Sequence, residues 1–89
     1  MQSHSGKIRL PHNGSNAQTL TSGIGQAVLL TVTIDEIKPK DSQAATVSSG
    51  RTSLSIAAGR SASLLTNGDV GITVDEGLTC TGSYQLTVL

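Results

Sequence analysis

Alternation of apolar and polar positions begins at Gln26 and persists to the end of the chain. From Gln26 to Ile34, Val28, Leu30, Val32 and Ile34 fall on one face and Leu29, Thr31 and Thr33 on the other, the period of a half-buried strand. Pro39 and its charged neighbours Lys38, Lys40 and Asp41 end this element. Shorter strands are predicted over Ala44 to Ser48, Thr52 to Ala57 and Ser61 to Thr66, divided by Ser49-Gly50 and Gly59-Arg60. Asn67-Gly68 predicts a hairpin into Val70 to Val74, since both residues tolerate positive φ. Asp75-Glu76-Gly77 breaks the pattern, Leu78 to Thr81 resumes it, Gly82-Ser83 predicts a last turn, and Tyr84, Leu86 and Val88 alternate in a final strand.

Residues 1–25 differ. Their apolar residues follow no period and are interrupted by Gly6, Pro11, Asn13-Gly14, Gly23 and Gly25, so they predict an extended arm with one short strand from Lys7 to Leu10. The expected architecture is all-β: a small antiparallel sandwich, immunoglobulin-like or jelly-roll-like, over residues 26–89, preceded by that arm. No window supports a long amphipathic helix.

Composition leaves such a domain a modest core. Among 89 residues there is one aromatic side chain, Tyr84, and no Phe or Trp, so the interior must be aliphatic. Small proteins so placed recruit disulfides, a metal or further subunits. Cys80 is alone and cannot bridge within the chain, and its apolar strand marks it as a buried hydrophobe. His4 and His12 have no ligand at zinc spacing. Neighbouring subunits are therefore the expected support, with neither metal nor cofactor.

Net charge is zero, which argues against a nucleic-acid binder, and no apolar run reaches membrane-spanning length. Residues 1–34 hold Lys7 and Arg9 without an acid, while residues 41–89 hold Arg51 and Arg60 against Asp41, Asp69, Asp75 and Glu76. The basic arm, with His4 and His12, is suited to gripping an acidic partner.

Candidate chemistry is sparse. Asp35-Glu36 and Asp75-Glu76 each follow an alternating strand and could meet around a hard cation, but adjacent strand residues point to opposite faces, so solvated strand ends are the better reading. The serines lack a positioned base, which argues against an enzyme, and Gly23-Ile24-Gly25 lacks the Lys-Ser/Thr of a phosphate loop. Asn13-Gly14-Ser15 matches a glycosylation sequon, relevant only to a secreted chain.

The layout of the chain, an arm at residues 1–25 and short uncharged strands at 26–89, resembles the small head-decoration or cement proteins of tailed bacteriophages. The resemblance implies a non-enzymatic virion protein, made in the host cytoplasm and bound to the capsid surface. Its partners would be the major capsid protein and further copies of itself. His4, Lys7, Arg9 and Leu10 would make arm contacts, and Tyr84 and Leu86 would lie on a final strand that closes the sandwich or pairs with a neighbour. An alternative is a secreted or cell-surface immunoglobulin-like adhesion module binding carbohydrate or protein, since Gly82 to Val88 resembles the final strand of many bacterial domains of that kind.

Overall fold

The computed structural model describes residues 3–21, 25–39 and 44–89. Eight strands follow in order: β1 (Ser3–Leu10), β2 (Ala17–Thr21), β3 (Val28–Lys38), β4 (Ala44–Ser49), β5 (Thr52–Ala57), β6 (Ser61–Thr66), β7 (Val70–Thr73) and β8 (Thr79–Val88). They form two antiparallel four-stranded sheets, ordered β1-β8-β3-β6 and β2-β7-β4-β5. The pairs β1·β8, β2·β7, β3·β6 and β4·β5 are those of one long hairpin rolled into two layers. That winding is the jelly roll, which settles the choice the sequence left open against the immunoglobulin arrangement.

The stretch expected to extend as an arm instead supplies a strand to each sheet over its described part. β1 pairs with β8 from Ser3↔Thr87 to Leu10↔Cys80, and β2 pairs with β7. The reason is apolar spacing too short to stand out as a period: Ile8 and Leu10 are each 1% exposed and Leu20 is 7% exposed. Gly23 and Ile24 lie outside the described residues, as do Lys40 and Asp41.

Between the sheets lies an aliphatic core that includes Ile8, Leu10, Val28, Leu30, Val32, Ile34, Ile37, Val47, Ile72 and Cys80. Each fully buried Val, Ile or Leu contributes about 1.5–3 kcal/mol. Tyr84 is only half-buried and packs at the rim.

Two turn expectations change. Asn67-Gly68 makes no hairpin, because β6 and β7 belong to different sheets and neither residue takes positive φ. The Asn-Gly signal is realised at Asn13 (φ 50°) and Gly14 (φ 78°), where His12 and Ser15 exchange backbone hydrogen bonds of 2.7 and 2.9 Å in the link from β1 to β2. Gly82-Ser83 is no turn either: β8 runs unbroken through it. Gly82 is there because a Cβ would collide with the carbonyl oxygen of Thr33 and lie 3.2 Å from the Cα of Ile34.

That close approach accompanies a bulge. β3 pairs with β8 at Ile34↔Gly82 and then at Glu36↔Thr81, leaving Asp35 as the extra residue. Ile34 and Ile37 both point inward while Asp35 and Glu36 are both exposed. Regular alternation would have set one of the isoleucines in water.

Candidate functional site

β1 and β8 are neighbours, so the residues singled out on the two strands are brought side by side, with His4 opposite Leu86 and Gly6 opposite Tyr84. The pleat then divides them. Lys7 and Arg9 point outward, whereas Leu10 faces the core and is not available to a partner. Leu86 is 7% exposed and also belongs to the core.

Two grooves result, on different faces. One, of about 210 Å³, is lined by His4, Leu20, Thr21, Tyr84 and Leu86 where the edges of the two sheets diverge. Gly6 makes room for the tyrosine, since a Cβ there would meet the tip of its ring at 2.6 Å. Thr21 is held by a hydrogen bond from its Oγ1 to the carbonyl of Gly68 at 3.1 Å. The other groove, of about 420 Å³, is lined by Lys7, Ile8, Arg9, Asp35, Thr81 and Gly82. Asp35 follows the inward Ile34 and so shares the outer face with the two basic residues. The expectation that Asp35 and Glu36 point to opposite faces is overturned, because the bulge leaves Glu36 exposed as well.

Among the described residues the carboxylates do not assemble into a metal centre. Glu36 accepts Lys38 Nζ at 3.4 Å with both side chains more than half exposed, a pairing of small energy. Among the described residues no three of His, Cys, Asp and Glu converge to hold a metal ion. Cys80 is fully buried. Burial raises its thiol pKa, and the negative charge of Asp35 raises it further, so the nucleophilic thiolate is disfavoured.

On its outer face the β1-β8-β3-β6 sheet presents hydroxyls and an amide in register, and Ser5, Thr31 and Gln85 line a shallow groove there of about 190 Å³. Ser63, Thr31, Gln85 and Ser5 form one row across the strands, and Thr31 and Ser63 are hydrogen-bonded through their hydroxyls at 2.8 Å. One end of the face departs from this. Among the described residues the large hydrophobic side chains left exposed are Leu29 (37%), Leu65 (68%) and Leu89 (65%), and they cluster. Leu29 lies directly opposite Leu65, while Leu89 donates its N–H to Ala27 at 3.2 Å and shares with Leu65 the lining of a groove of about 310 Å³. Sequence reading missed this patch. The signal was present in Leu29, set among threonines on the polar face of its strand, and in the second leucine of Leu64-Leu65.

Strand edges complete the surface. The free edge of β1 is covered: Gln18 donates its Nε2 amide to the carbonyl of Lys7 at 3.0 Å and accepts from the N–H of Arg9 at 3.2 Å. One carboxamide thus stands in for an adjoining strand. No family model matches the chain, and neither the curated proteins nor the solved structures yield a match.

Proposed function

We propose that this chain is a non-enzymatic structural subunit that binds and stabilises a viral capsid as a decoration protein, docking through its strand edges and outer face. The leucine patch carries this reading. Three exposed leucines gathered at one end of an otherwise hydroxyl-lined sheet have the character of an interface, since scattered exposed leucines are ordinary and clustered ones are not. A core without large aromatic side chains gains from being covered by neighbours. Jelly rolls serve in virus capsids as well as in lectins, which supports the reading by analogy of fold. The partners are the major capsid protein and further copies of the chain, and the location is the capsid surface.

The test is mass spectrometry of gradient-purified virions from the genome that encodes the chain. The expected result is the chain in the particle at a stoichiometry comparable to that of the capsid protein. Particles that lack it, with a gene flanked by no virion genes, refute the proposal.

One observation favours the second reading, a carbohydrate-binding adhesion module. The single aromatic side chain, Tyr84, lines a groove with His4 and Thr21, an arrangement able to stack on a sugar and bond its hydroxyls. Reproducible hits on a glycan array that disappear in Tyr84→Ala would establish that reading in place of the first.

A further inference from the structure

The two long sides of the sandwich are built differently. On one side β1 and β2 end the sheets. There Gln18 covers the β1 backbone, Lys7 and Arg9 charge its outer face, and the β2 ladder is irregular between Thr19 and Thr21. Each feature discourages a further strand from adding. On the other side β6 ends its sheet as Ser-Ala-Ser-Leu-Leu-Thr, with no charge and no proline. Its ladder to β3 is regular from Ser61 to Thr66. The carbonyl of Arg60 accepts from the N–H of Ile34 on β3 at 2.9 Å. By alternation from that point, the backbone groups of Ser61, Ser63 and Leu65 face away from β3.

We infer that β6 is the strand to which a second copy of this chain adds, antiparallel, about a twofold axis at Leu65, joining the two β1-β8-β3-β6 sheets into one. A twofold contact must be self-complementary, and the apolar row at the end of β6 is. With the axis at Leu65, that side chain lies opposite its own copy, and Leu29 on either flank extends the apolar row across the junction. Antiparallel addition is the orientation that a twofold axis permits between two copies of one edge strand. The inference deepens the proposed function by naming the contact between subunits of the decorating layer. The paired segment is short, so the dimer is concentration-dependent rather than obligate.

Sedimentation equilibrium on the full chain from micromolar to millimolar concentration reads the association. The wild type is expected to dimerise. Leu65→Lys, which sets two like charges on the axis, weakens dimerisation by about tenfold or more. Leu65→Pro, which removes the outward N–H on the axis, weakens it comparably. Ser5→Lys on the outer face of β1 leaves it unchanged. Leu65→Cys forms a disulfide-linked dimer under oxidising conditions while Ser5→Cys does not; Cys80 is buried and does not interfere. A wild type that stays monomeric throughout, dimerisation indifferent to both β6 substitutions, or equal cross-linking of the two cysteine variants overturns the inference. A dimer meeting these criteria whose chain is missing from virions refutes the decoration role alone.

Discussion

Whether residues 3–10 are an appendage or part of the fold is decided by a single buried side chain. Ile8 is 1% exposed, lies opposite Gly82 and belongs to the core cluster. Truncating it to Ala removes buried methyl groups and leaves a void, at about 2–5 kcal/mol for a site that cannot collapse. A domain of 89 residues has a total stability of about 4–13 kcal/mol, at roughly 0.05–0.15 kcal/mol per residue. Ile8→Ala therefore removes a large share of what holds the molecule folded. At about 4–8 °C per kcal/mol for a domain this size, the melting temperature falls by at least about 8 °C.

Urea titration followed by far-UV circular dichroism and by Tyr84 fluorescence measures the loss, with no tryptophan to mask the tyrosine. Lys7→Ala is the control, because Lys7 is the exposed neighbour on the same strand and its loss should fall within about 0.5 kcal/mol. Equal, negligible effects from Ile8→Ala and Lys7→Ala would refute the assignment of β1 to the sandwich. On the same reasoning, deletion of residues 1–21 removes Ile8, Leu10 and Leu20 from the core and abolishes the β spectrum, whereas an independent arm could be cut away without harm.

Three further outcomes follow from the geometry. Gly82→Ala forces a methyl group against backbone atoms of Thr33 and Ile34 and is expected to cost about 1–3 kcal/mol; Gly6→Ala meets only the tip of the Tyr84 ring, which can swing away, so it costs less and mainly alters tyrosine fluorescence. Paired urea melts rank the two, and equal costs would contradict the bulge as the reason for Gly82. Cys80, whose pKa is raised above its ordinary 9.0 first by burial and then by Asp35, keeps its proton longer in the folded chain than in the unfolded one. Its contribution to stability is full below about pH 9 and lost as pH rises from there toward the folded value, so wild type should lose stability relative to Cys80→Ala above about pH 9 but not at neutral pH, and the native thiol should resist Ellman's reagent until the chain is denatured. Gln18→Ala uncovers the N–H of Arg9, and hydrogen exchange should accelerate at that amide while β8 amides stay protected.

The all-β sandwich was legible because Val28 to Ile34 and Val70 to Val74 alternate over enough residues for period two to be visible. Of β1 only Lys7 to Leu10 was legible as a strand, because Gly6 interrupts its inward row and His4 ends it, leaving Ile8 and Leu10 as two apolar positions in a polar stretch. The Asn67-Gly68 signal failed both as local chemistry, since neither residue takes positive φ, and as topology. A turn type fixes two residues, whereas the sheet in which the next strand lies is fixed by where its apolar face can be buried. Both Asn-Gly pairs link strands of different sheets; positions 13–14 close a tight local turn within the link, and 67–68 do not. The bulge left one trace in the sequence, the spacing of Ile34 and Ile37, which no regular strand can bury together. Taking both isoleucines as core forces one extra residue between them, and that residue is Asp35. The exposure of Glu36 beside Asp35 follows from that displacement, and the close approach that requires glycine at position 82 lies next to it, so packing of the two isoleucines accounts for both.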